Sequence, residues 1–123
     1  GGKVALISHS CGAHLSSAWI RHRGNDHGLH AYVGIGMGAT DYQQIMHKPF
    51  ALDLIKNPIL DIYGSNEYSA VPRMAASRLA LIQRAGNPHS TQQIIAGANH
   101  NFHGDQTTDA LIHAIGAWLD TLD

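Results

Sequence analysis

A single cysteine, Cys11, in a chain of 123 residues excludes an internal disulfide and a thiolate zinc cluster, and leaves the redox compartment open. Charge is scarce as well: charged side chains make up 14% of the chain and the formal net charge is −1. The eight Lys and Arg residues are scattered, so no basic stripe for nucleic acid forms. No apolar run approaches the ~20 residues of a membrane span, and no membrane partner is expected. Lys3 leads into a short β-type run without a processing site, so no signal peptide is read and the compartment is unassigned, with the cytoplasm as default. Repeats, linkers and low-complexity tracts are also missing, and residues 1–123 are expected to form one domain around one core.

What is present alternates. Val4 to Ile7 reads as a short, fully buried strand, and the apolar residues Leu15, Trp19 and Ile20 fall at helical spacing between Ala13 and Arg23. Gly24-Asn25 stops that helix. Leu29 to Ile35 is a second buried-type run, and a helix interrupted near Pro49 is expected between Asp41 and Leu54. Ile59 to Tyr63 reads as a strand. Pro72 to Ala85 reads as an amphipathic helix with Met74, Leu79 and Ile82 inward, stopped by Gly86. Gln92 to Ala96 is the last strand. A final helix, capped by Thr107 or Thr108, carries an apolar stripe of Leu111, Ile112, Ile115, Trp118, Leu119 and Leu122. Strands alternating with helices predict an α/β fold: a parallel sheet of about four strands with flanking helices and right-handed crossovers.

Three small clusters sit where the strand-like runs end: Ser8-His9-Ser10-Cys11-Gly12, Gly64-Ser65-Asn66-Glu67 and Gly97-Ala98-Asn99-His100. A serine hydroxyl is a poor nucleophile until a base takes its proton. A strand–serine–helix turn lifts the side chain clear of the sheet and points backbone N–H groups at the reacting carbonyl oxygen. The turn calls for small residues two before and two after, here Ser8 and Gly12. The N–H of Cys11 is the expected oxyanion donor, with burial the expected role of its side chain. Glu67 would orient the base and fix its tautomer, with Asp61 as a competing acid better suited to a structural hydrogen bond. His100 lies on a loop free enough to reach Ser10 and later protonate a leaving group, with His103 as its rival. His9 is a candidate substrate-binding residue, although His9 and His14 each also suit surface or packing roles.

Other patterns are weaker. The ten histidines mostly lack ligand spacing, and His100-x-x-His103 has no companions beyond Asp105, so no metal and no cofactor is expected. Gly34-x-Gly36-x-Gly38 departs from the spacing of a dinucleotide loop, and Gly1-Gly2-Lys3 precedes a strand where a phosphate loop follows one.

On these segments the chain resembles α/β-hydrolases, in particular their C-terminal half. It is similar to a poorly characterised bacterial group with a Pro-x-Leu-Asp-x-Tyr strand, here Pro58-Ile59-Leu60-Asp61-Ile62-Tyr63. The resemblance covers nearly the whole chain. It implies a partial α/β-hydrolase fold with Ser10 as nucleophile, Glu67 (where aspartate is commoner) as acid and His100 as base. It implies hydrolysis of small carboxylic esters or related acyl substrates without a cofactor. Such enzymes have strands before the nucleophile strand, and a loop among them gives the second oxyanion donor. Losing one such donor costs ~2.7–4 kcal/mol, so a weakened activity is implied. The competing expectation is a weak or inactive half-domain used for binding or assembly. Near-neutral charge and an unpaired first strand predict a homo-oligomer.

Overall fold

A run of apolar residues with β-branched members cannot satisfy its backbone polar groups alone, and this chain satisfies them by parallel pairing. The computed structural model describes residues 3–24, 28–38 and 50–122, with the backbone only at Cys11. Its strands β1 (Ala5–His9), β2 (Ala31–Ile35), β3 (Ile59–Gly64) and β4 (Thr91–Ile95) form one sheet in the order β1-β2-β3-β4. Every pairing is parallel, with Ile7 beside Val33, Val33 beside Leu60 and Leu60 beside Thr91. The helices are α1 (Cys11–Arg23), the short α2 (Ala70–Arg73), α3 (Ala75–Ala85) and α4 (Asp105–Asp120), with a 3₁₀ turn at Leu52–Leu54.

The strands alternate their side chains between two apolar layers. On one face Tyr32 and Ile59 pack with Ala13 and Ile20 of α1, with Leu52 and Ile55 at the 3₁₀ turn and with Ile82 of α3. On the other, Val33, Ile35, Leu60 and Ile62 pack with Phe102 and with Ile115 and Trp118 of α4. The result is an α/β sandwich whose strand C-terminal ends all point the same way, where the three clusters lie.

Several sequence expectations change. Val4 to Ile7 is not buried: Ile7 is 50% exposed, because among the described residues β1 has a neighbour on one side only. In α1, Ile20 is buried but Leu15 and Trp19 face outward, and Ala13, His14 and Ser17 take the inner positions. The helix read from Pro72 to Ala85 is two helices, broken at Met74, where φ −94° and ψ 4° leave the helical region. Its inward residues are Ala75, Arg78 and Ile82, with Met74 and Leu79 only half-buried. Gly104, not a threonine, stands at the N-cap of α4; Thr107 and Thr108 donate instead to upstream carbonyls, Thr107 to His103 and Thr108 to Phe102. Ile112, expected inward, is exposed. The helix expected from Asp41 lies mostly outside the described residues.

Candidate active site

Ser10 occupies the turn between β1 and α1 with φ 55° and ψ −116°. A side chain at such a positive φ is strained by about 1–3 kcal/mol, and that strain is held by the surrounding bonds. The Ser10 N–H donates to the Ile35 carbonyl at 3.0 Å, extending the β1–β2 ladder past the strand. Its carbonyl accepts from Ala13 N–H at 3.0 Å and His14 N–H at 3.3 Å, starting α1. Cys11 opens the helix, so its N–H is one of the first-turn amides that have no acceptor within the helix. The Cys11 side chain lies outside the described residues.

Ser8, two positions before, is buried. Ser16 bonds the phenol of Tyr32 at 2.7 Å, and burial raises the Tyr32 pKa against the opposing effect of the neighbouring serine hydroxyls. At Gly12 the expected close approach is missing: a Cβ there would meet nothing within 4 Å among the described residues.

Glu67 and His100 come from loops that brace each other. Gly64 ends β3 so close to the second loop that a Cβ would stand 2.1 Å from the Ala98 carbonyl oxygen. Ser65 N–H donates to the Ile95 carbonyl at 3.0 Å, Asn66 N–H to the Ala98 carbonyl at 2.9 Å, and Gly97 N–H to Ser65 Oγ at 2.7 Å. Asn99 Oδ1 accepts from the amides of Asn101 and His103, at 3.2 and 3.0 Å, and rounds the turn that carries His100. Phe102, at φ 53°, drops its ring into the core and anchors the loop's far side.

These turns bring Ser10, His100 and Glu67 into one line. His100 Nε2 is 2.7 Å from Ser10 Oγ, and His100 Nδ1 is 2.7 Å from Glu67 Oε1. The Glu67 side chain is fully buried and that of His100 is 14% exposed. A carboxylate only accepts, so Nδ1–H donates to Glu67 and Nε2 is left to accept from the serine hydroxyl. That is the tautomer a general base needs.

Of the other candidates, His9 touches this line and the rest lie away from it. His103 is exposed, and its amide serves the loop turn. Asp61 is wholly buried on the α3 side of β3, paired with Arg78 and bonded by Gln92. Burial raises its pKa against the opposing pull of the Arg78 charge. His14 is buried, its ring 4.4 Å from that of Phe50. His9 bonds the backbone oxygen of His100 at 2.8 Å. Among the described residues no three His, Cys, Asp or Glu side chains cluster closely enough to hold a metal ion.

Two contributors escaped the sequence reading. Gly36, at φ 62°, lets β2 end against the line, since a Cβ there would be 3.0 Å from Glu67 Oε2 and from the His100 ring. With Gly34 packed on Met37 and Gly38 on Val71, close packing accounts for the whole Gly-x-Gly-x-Gly pattern. Tyr68 follows Glu67 and lays its ring 4.8 Å from that of His100, tilted by 41°. Its place directly after Glu67 was the available signal.

No family model and no curated protein matches the sequence. Among solved structures, the chain is similar to an α/β-hydrolase candidate of unknown function from Agrobacterium tumefaciens, with TM-score 0.66 and 18% identity. That likeness covers 96% of this chain and 50% of the other. It is also similar to the esterase domain of a Rhodothermus marinus protein, with TM-score 0.61 and 17% identity, covering 93% of this chain and 58% of that one. The chain thus has an α/β-hydrolase type of fold and spans little more than half the length of the structures it resembles.

Proposed function

We propose that this chain carries the nucleophile, base and acid of a serine hydrolase acting on carboxylic esters or related acyl compounds. The observation that carries the reading is the unbroken line Ser10 Oγ–His100 Nε2 and His100 Nδ1–Glu67 Oε1, each contact 2.7 Å, on a serine at φ 55°. The fold shared with an esterase domain supports it.

In this reading His100 Nε2 takes the hydroxyl proton as Ser10 Oγ bonds to the ester carbonyl carbon. The carbonyl oxygen becomes an oxyanion, met by the Cys11 N–H at the positive end of α1. His100 then hands its proton to the leaving alcohol oxygen as the old C–O bond breaks, giving an acyl-serine. Water repeats the sequence: His100 takes its proton, the hydroxide oxygen bonds to the acyl carbon, and the proton returns to Ser10 Oγ as the acid departs. Glu67 keeps Nδ1–H in place and stabilises the imidazolium between these steps. No cofactor enters the scheme. Reaction of Ser10 with a fluorophosphonate probe tests it, since only an activated serine labels.

A second reading, a binding or assembly module, is favoured by the free side of β1 among the described residues. Val4, just before β1, and Ile7 within it are 52% and 50% exposed. An apolar strand edge is a template for pairing, and self-association of the chain through β1 is part of the proposal in either reading. Labelling separates the two, because a module without an activated serine stays unlabelled.

A further inference from the structure

We propose that His9 is a positioning residue for His100, a latch between the nucleophile strand and the base loop; the inference rests on the hydrolase reading above. His9 ends β1, directly before Ser10. Its Nε2 lies 2.8 Å from the backbone oxygen of His100, 91 residues along the chain. A carbonyl oxygen accepts only, so His9 Nε2–H is the donor. The two rings are 4.9 Å apart and tilted by 33°, and Tyr68 flanks the opposite partner of that pair at 4.8 Å from the His100 ring.

The adjacent residues His9 and Ser10 therefore hold His100 at two points, the first at its main chain and the second at its ring. In the acyl-enzyme the second point is lost. Ser10 Oγ is then an ester oxygen with no proton to donate to Nε2. The His9 bond is the contact that still ties β1 to the base while water enters and must be deprotonated. Its removal therefore falls hardest on deacylation. Reacting groups displaced by 1 Å lose ~10²-fold in rate, and loosening one loop bond should cost about tenfold.

This predicts a kinetic pattern that damage to the fold would not give. With p-nitrophenyl acetate, His9→Ala should lower kcat about tenfold and lower KM with it, leaving kcat/KM within about threefold, as expected when only the step after acylation slows. A pre-steady-state burst of p-nitrophenol, equal to the concentration of Ser10, should accompany the slow turnover. His9→Gln, whose Nε2–H reaches a similar point, should restore kcat. His9→Glu has the same length but no donor when ionised, and should stay as slow as alanine. Circular dichroism of each variant checks the fold. A flat series, a rise of KM at constant kcat, or failure of glutamine in a folded protein overturns the latch while the hydrolase reading stands. Wild-type protein without burst or turnover overturns that reading, and the latch with it.

Discussion

Arg78 Nε donates to Asp61 Oδ2 across 2.7 Å with the two side chains 2% and 0% exposed, a wholly buried ion pair between α3 and the centre of the sheet. Around it, Gln92 of β4 donates to the same carboxylate oxygen, and Arg78 donates to the Val71 carbonyl of α2 at 2.9 Å. Tyr63 lies against the guanidinium, 5.4 Å from ring centre to Cζ. The cluster joins the short helix that follows the Glu67 loop to two strands. Removing one partner of such a pair leaves an uncompensated buried charge, which costs ~3–5 kcal/mol. Arg78→Ala should therefore lower the urea unfolding free energy by about that much.

The same carboxyl makes a pH prediction. Burial raises the Asp61 pKa in the folded protein, so across the window from its ordinary value up to the raised one the folded state binds more protons than the unfolded. Stability then falls as pH rises through that window, and the contribution is complete below the unfolded pKa. Asp61→Asn should lack this fall. Unfolding free energies of the two proteins, compared point by point over the acid range, check the sign; a steeper fall in the asparagine variant would contradict it.

Strain at Ser10 predicts an opposition of stability and activity. Ser10→Ala and Ser10→Gly both lose the hydroxyl, but only glycine is at ease at φ 55°. The glycine variant should be the more stable of the two by about 1 kcal/mol, with both inactive. Equal unfolding midpoints would mean that the turn stores no strain.

If His100 is the base as proposed, His100→Ala should reduce ester turnover by ~10⁴-fold or more, the loss expected for a triad member. His103→Ala, which removes an exposed side chain, should cost no more than about threefold, in line with surface changes elsewhere. Initial rates of the two folded variants decide between them.

Much of this was legible because chemistry-bearing residues stood at fixed offsets from apolar runs. The ends of β1, β3 and β4 and the order serine, glutamate, histidine were enough to name the three side chains that meet. The run Val4 to Ile7 taken alone reads as buried, since a short apolar run reads alike at the edge and the centre of a sheet; the resemblance to hydrolases, not the run, put it at an edge, and Ile7 is exposed there. Arg78 was missed because an arginine on an amphipathic helix reads as its polar face; its burial depends on Asp61, on a strand distant in sequence. The break at Met74 carries neither glycine nor proline at the break itself. Gly36 and Gly64 were visible as glycines, but what approaches them is set only by the folded loops.

Self-association is expected from the side of β1 that has no strand neighbour among the described residues. Light scattering of the chain at micromolar concentration should give a mass above the 13.2 kDa of one chain. Charged substitutions at Val4 and Ile7, both exposed, should return it to that mass. A monomer mass for the unmodified chain would contradict the proposal.

In the proposed mechanism His100 and Glu67 activate Ser10. Its most direct test is a fluorophosphonate probe applied to the wild-type chain and to Ser10→Ala, with the labelled residue located by peptide mass spectrometry. Stoichiometric labelling on Ser10 is expected, with none in the alanine variant. A folded wild-type chain that stays unlabelled, or a label found on another residue, would contradict it.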